Sequence, residues 1–371
     1  MKKTLLVLLL GFICTFCLSA QAPSGYYQTA QGLSDYNLKT ALCKIIRGHK
    51  KLTYTPGIWE AYQYTDTRPE TGRIWDIYSA TNFIYGSFAN GGDQCYTTGV
   101  EGFCYNREHS FPKSWWNSTG SVTDTAYTDI MHIYPTDSWV NSLRNNNPYA
   151  EVGVYTKITA NGSKVGTSIT EGYTGTAFEP TDEYKGDLAR TYFYMATRYQ
   201  GTIAGWVNSS GVRAVFLNGT SNQVYADWFL QMLLRWYRND PVSQKETDRN
   251  NAIYTLYQNN RNPYIDFPEL VEYIWGNKQG EPWNISSGSR KTNFFFHPQI
   301  AIKNDKIFVS VDGIQEELKY GIYTLSGSCL MKGSLQTTGC ISFSQLPSGL
   351  YLLKLFGEEN ILVEKIVISK K

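Results

Sequence analysis

The stretch that most constrains this chain is Tyr105 to Arg144. It reads Y-N-R-E-H-S-F-P-K-S-W-W, a short polar loop, then A-Y-T-D-I-M-H-I-Y-P-T-D-S-W-V-N-S-L-R. Neighbouring side chains of a strand point to opposite faces, so Glu108 and His109 can share one small site only where a strand ends or bends. Pro112, just downstream, marks such an end. The run Ala126 to Tyr134 alternates loosely up to Pro135 and predicts a second strand returning against the first. Thr136 or Asp137 then caps a short helix. On it Asn141 lies one turn from Asp137, with Arg144 three positions further, so all three can face one side. The predicted unit is strand, strand, helix.

The residue types in this unit suggest a chemistry. A hard divalent cation takes oxygen ligands and keeps several waters, so one carboxylate (Glu108) and one carboxamide (Asn141) suffice to hold it when a substrate phosphate supplies more oxygens. Magnesium suits such a pair best, with calcium or manganese as alternatives. Histidine offers no oxygen, but its ordinary pKa near neutrality suits His109 to take a proton from water. One metal, a histidine base and a nearby cation together make a site for phosphodiester hydrolysis.

On these residues the segment resembles the ββα-metal core of the bacterial endonuclease I family, secreted or periplasmic nucleases of the His-Me superfamily. The resemblance assigns Glu108 as metal ligand, His109 as general base, and the helix V-N-S-L-R (Val140 to Arg144) as carrier of the ligand Asn141. It extends from about Gly25 to Gly276 through F-E-P-T-D-E-Y-K-G-D-L-A-R (Phe178 to Arg190) and Q-N-N-R-N-P-Y-I-D (Gln258 to Asp266). It implies cleavage of DNA and of RNA with little sequence preference, leaving 5′-phosphate and 3′-hydroxyl ends. One feature departs from the family pattern: residues 110 to 135 contain no arginine to hold the scissile phosphate, and Lys113 is the one cation there. Lys113 takes that role, or Arg107, Arg144 or Arg261 arrives from another element; a lysine would act as a point charge without the bidentate fork.

Other candidates are weighed against structural roles. His132 lies among Ile130, Met131 and Ile133 and reads as a hydrogen-bonded core histidine, while His49 and His297 have no histidine near them, which argues against a multi-histidine zinc site. Asp129 and Asp137 reach a metal at most through water. The aromatic residues from Tyr54 to Tyr85, including Trp59, Tyr62, Trp75 and Tyr78, read as packing beneath the site rather than as base-stacking surface.

Residues 1–22 read as a cleaved secretory signal: Lys2 and Lys3, an apolar run from Leu5 to Cys17, then small residues at Ser19, Ala20 and Ala22. No other run is long and apolar enough to span a membrane. Without Lys2 and Lys3 the 34 basic residues become 32 against 32 acidic ones, so the formal charge falls from +2 to zero. A nucleic-acid enzyme of that charge must concentrate its cations locally, in the core motif or along Arg235, Arg238, Lys245, Arg249 and Arg261. Export favours disulfides. Cys95 with Cys104 would clip the loop ahead of the first strand, Cys329 with Cys340 would join neighbouring strands, and Cys43 would be left in a helix spanning Ser34 to Arg47.

Gly, Thr and Ser between Val152 and Thr176, with the turn signal Asn161-Gly162, predict hairpins. Helices are predicted over Glu183–Tyr199, Tyr225–Tyr237 and Ser243–Tyr257, the last broken at Asn262-Pro263. Residues 23–280 therefore form an α+β catalytic domain whose ββα core is embedded among helices, followed by a polar linker over 281–294. Residues 295–371 hold short alternating strands at Ile307–Val311, Tyr320–Leu325, Cys340–Phe343, Leu350–Leu355 and Ile361–Ile368, the pattern of a small all-β sandwich. G-I-Y-T-L-S-G (Gly321 to Gly327), L-P-S-G-L-Y-L-L-K (Leu346 to Lys354) and the terminal Lys370-Lys371 resemble the sorting domain of type IX secretion cargo. That implies handling by a secretion machinery, removal of the domain in transit, and a secreted or surface location; an ordinary binding module is the competing reading. The protein is expected to act as a monomer. The alternative from another class is a catalytically inactive surface protein that holds nucleic acid or glycan on the same scaffold.

Overall fold

The computed structural model describes residues 22–96, 99–116, 125–208, 213–285, 299–303, 306–310, 318–324, 328–335, 338–356 and 361–368. The signal-peptide expectation for residues 1–22 and most of the linker therefore lie outside the described residues, as does His297. Contacts divide the chain into two units, Met1–Ile285 and Ser286–Lys371.

The first unit opens with α1 (Asp35–Ile46) and α2 (Gly57–Thr65). Leu38, Leu42 and Ile46 give α1 one buried face, and Gly48, with φ of 79°, turns the chain beyond it. Next come β1 (Tyr105–His109), β2 (Ile133–Asp137) and α3 (Ser138–Arg144), then the antiparallel β3 (Val152–Ile158), β4 (Lys164–Ser168) and β5 (Thr176–Glu179). The helices that follow are α4 (Lys185–Arg198), α5 (Arg213–Phe216), α6 (Asp227–Asn239), α7 (Gln244–Ala252), α8 (Pro263–Asp266) and α9 (Leu270–Ile274).

Helix α4 is buried from Gly186 to Thr197, on every face. A helix so placed must neutralise its polar residues internally. Arg190 meets both oxygens of Glu246 at 2.6 and 2.7 Å, and Asp187 pairs with Lys245 at 2.9 Å. Partner α6 is amphipathic, burying Phe229, Met232, Leu233 and Trp236 while Arg238 reaches out to Glu272. The predicted helix over Ser243–Tyr257 begins with a capping box between Ser243 and Glu246. It widens into a wider turn over Ile253–Gln258 and stops at Asn259, in the left-handed conformation; Asn262 and Pro263 open α8 instead of ending it.

The second strand differs from expectation. Ala126 to His132 forms tight turns rather than a strand, and β2 begins at Ile133 and runs through Pro135. Pro135 lies opposite Arg107 in a sheet of two strands, where a residue lacking an N–H leaves no further ladder bond unmade.

In the second unit, β6 (Gln299–Lys303), β7 (Lys306–Ser310), β8 (Leu318–Tyr323), β9 (Cys329–Leu335), β10 (Thr338–Ser342), β11 (Gly349–Phe356) and β12 (Ile361–Ile368) form two antiparallel sheets, ordered β10-β7-β6 and β12-β11-β8-β9. Ile307, Val309, Ile322, Ile341, Leu353, Leu355 and Ile366 fill their shared core, as a small sandwich requires. Strands β6 and β9 lay outside the expected set; both are edge strands, and β9 buries little besides Leu335, so its sequence carries no alternation. The expected Cys329–Cys340 bridge is not formed. The two residues sit in different sheets as exposed free thiols, whereas Cys95 and Cys104 are bonded.

Candidate active site

β1 and β2 pair antiparallel, with Glu108 opposite Tyr134 and His109 opposite Ile133. The ladder ends at His109, where the Ser110 amide turns to the His132 carbonyl. No loop separates β2 from α3. Asp137 closes the strand and caps the helix, its Oδ1 accepting from the Trp139 and Val140 amides at 2.9 and 3.1 Å and its Oδ2 from the Gly102 amide. Helix α3 is thereby laid across β1, with the Asn141 amide donating to the Arg107 carbonyl at 3.3 Å. Between them opens a cleft of about 320 Å³. It is lined by Arg107, Glu108, His109, Lys113 and Ser114 from β1 and the segment after it, and by Asn141, Ser142, Arg144, Asn145 and Asn146 from α3 and its C-terminal end.

Glu108 is buried, and one of its oxygens is doubly held: Oε1 accepts from Arg144 at 2.9 Å and from the Tyr78 hydroxyl at 3.0 Å. No described residue donates to Oε2. Burial pushes this carboxyl up to about 7, against the opposing pull of Arg144 and Tyr78. Arg144, expected among the candidate phosphate ligands, is fully buried. It borders the cleft and donates to Glu108, to the His109 and Ser110 carbonyls and to Tyr192, which fixes the end of β1 and engages its guanidinium within the protein.

The His109 ring packs among aromatic residues, nearly parallel to Tyr54 and Tyr127 at 5.9 and 5.6 Å, two rings that also lie against each other at 4.5 Å. Its Nε2 lies 3.1 Å from the Tyr127 carbonyl. A carbonyl only accepts, so Nε2 carries the proton and Nδ1 the lone pair. Burial, reinforced by His132, Lys113 and Arg107, lowers the ring to about 3, well below the near-neutral value expected from the sequence, so it is neutral and ready to accept a proton at ordinary pH but is a weaker base than expected. His132 is buried with its Nε2 against the Ala126 carbonyl. Asp129 accepts from Tyr194, Tyr199 and Gln258, away from the cleft.

Of the remaining cations, Lys113 stands 4.8 Å over the Tyr127 ring and takes part in no ion pair among the described residues. Arg107 is stacked between Tyr54 and Trp59 at 3.6 and 4.3 Å, with one end of its guanidinium bonded to Tyr54 and Thr55. Both line the cleft. Arg261 does not: it is committed to Asp266 and Asn251 elsewhere in the unit. Ser114, Ser142, Asn145 and Asn146 went unnoticed in the sequence, although the run Arg144-Asn145-Asn146-Asn147 is a polar signal directly after the motif helix; Tyr78, expected to pack beneath the site, does so and also bonds Glu108.

The donors present fit a hard cation. Glu108 and Asn141 line one cleft, Glu108 Oε2 and the Asn141 side-chain oxygen accept from no described residue, and two protein oxygens leave room for waters and substrate. Among the described residues no three His, Cys, Asp or Glu side chains converge as a structural zinc site would need.

A hairpin and helix presenting a carboxylate, an imidazole and a carboxamide to one cleft define a nuclease class, and the comparisons agree. The model of the family "Endonuclease I" matches residues 34–269, and the chain belongs to that family. It is 38% identical over 254 residues to an extracellular ribonuclease of Bacillus amyloliquefaciens, covering 67% of this chain and 78% of the relative. The extracellular ribonuclease of Bacillus subtilis (strain 168) is 35% identical over the same shares. Residues 303–369 match the secretion system C-terminal sorting domain. The protein is a nuclease, secreted or displayed at the cell surface. Among the described residues no helix is long and apolar enough to cross a membrane.

Proposed function

We propose that the protein is a divalent-metal-dependent endonuclease that hydrolyses phosphodiester bonds of DNA and RNA, with His109 as general base and Glu108 and Asn141 as metal ligands. Relatives named as extracellular ribonucleases support including RNA among the substrates. The observation that supports the reading is that Glu108, His109 and Asn141 line one cleft.

His109 Nδ1 takes the proton from the attacking water. The Tyr127 carbonyl holds the tautomer, and the neighbouring, nearly parallel Tyr54 and Tyr127 rings hold the plane. Glu108 and Asn141 would hold magnesium best among divalent ions, and the bound ion would supply charge stabilisation to the phosphate and the leaving oxygen. Lys113 and the free end of the Arg107 guanidinium grip the scissile phosphate, in the role of the missing arginine.

The test is cleavage of plasmid DNA and of single-stranded RNA with and without chelator, by the unaltered chain and by His109→Ala. Removing a general base is expected to slow cleavage by about 10²–10⁴-fold with the melting temperature little changed. Undiminished cutting by that variant, or cutting indifferent to chelator, would sink the assignment.

A further inference from the structure

Asn145 closes α3 with φ of 53° and ψ of −128°, a conformation open to glycine and costly for any residue with a Cβ. The surrounding chain holds it there. Its own amide donates to the Asn141 carbonyl, the Asn147 amide to the Arg144 carbonyl, and the Trp115 indole to the Asn146 carbonyl. Most turns of this shape relieve the strain with glycine. This one keeps an asparagine, whose carboxamide is exposed, bonded to no described residue, and lines the cleft with Glu108, His109 and Asn141. Strain retained at the edge of a reaction site points to work done by the side chain.

Beside Asn145 the cleft is lined by the neutral Ser142 and Asn146, and the adjoining Arg144 is committed to Glu108 and to the His109 and Ser110 carbonyls. Neutral amides and hydroxyls suit sugar hydroxyls and base edges better than phosphate charges. We propose that Asn145 is a substrate-positioning residue: its carboxamide hydrogen-bonds the nucleoside next to the scissile phosphate. The inference rests on the nuclease reading of the same cleft.

The experiment compares the full chain with Asn145→Gly and Asn145→Ala, using a single-stranded oligonucleotide and magnesium, with melting temperatures recorded alongside. Asn145→Gly should melt about 2–4 °C higher, because the strain is gone. Its KM should nevertheless rise about five- to ten-fold with kcat nearly unchanged, the loss expected for one hydrogen bond to substrate. Asn145→Ala should lose affinity equally without gaining stability. A glycine variant with unaltered KM would overturn the inference while leaving the nuclease reading standing. Failure of the unaltered chain to cut would sink the nuclease reading itself, and this inference with it.

Discussion

Glu108 ties the site to the protein interior, since one of its oxygens is fixed by Arg144 and Tyr78 and the other accepts from no described residue. Arg144→Met would strand a buried carboxylate and is expected to destabilise the fold by about 3–5 kcal/mol in urea unfolding. Tyr78→Phe removes the hydroxyl's hydrogen bonds to Glu108 and Tyr149 and should cost about 1–3 kcal/mol. The acid–base sign follows from the same burial. A cation binds the ionised carboxylate, and Glu108 sits at about 7, so metal affinity should fall as pH drops below neutrality while a proton is released on binding. Manganese titrations by calorimetry at pH 6 and pH 8 check this: equal affinities would refute it. His109, held at about 3, stays neutral across that range and contributes nothing to the trend.

At the scale of elements, the absence of a loop between β2 and α3 makes Asp137 decisive for the placement of Asn141. Asp137→Ala should lower stability by about 1–2 kcal/mol through the lost cap and weaken metal binding as α3 frays. Helix α1 carries a second dependence, with Lys39 fully buried and donating to the Ser221 and Asn222 carbonyls at 2.6 and 2.8 Å. Burial lowers Lys39 to about 7, so the unfolded chain holds this proton more tightly than the folded one. Its contribution to stability is present above the unfolded value near 10.5 and is lost as pH falls through about 7. The stability of the unaltered chain should therefore rise, relative to Lys39→Met, between pH 7 and pH 10; parallel curves in urea titrations would refute this.

Taken whole, the first unit has its own core, from Tyr27 to Trp283, and shares no core residue with the second. Leu33 and Trp283 bridge backbone to backbone, so the unit closes on its own last residues. A chain ending at Ile285 should fold and cut nucleic acid at the rate of the full chain; aggregation or loss of activity would count against that independence. The sequence by itself determined that Glu108, His109 and Asn141 come to one cleft, because they belong to one short unit whose strand end, cap and turn are local signals. Local periodicity likewise marked α1, α4 and α6. Tertiary structure alone decided which cations are free. Arg144 and Arg261 look like Lys113 in the sequence, yet burial beside Glu108 and Asp266 uses up their charge, and that depends on which distant segments pack together. The same physics separated Cys329 from Cys340 and brought Tyr78 to Glu108, since partners across sheets and loops are chosen by packing of the whole chain and leave no periodic trace in it.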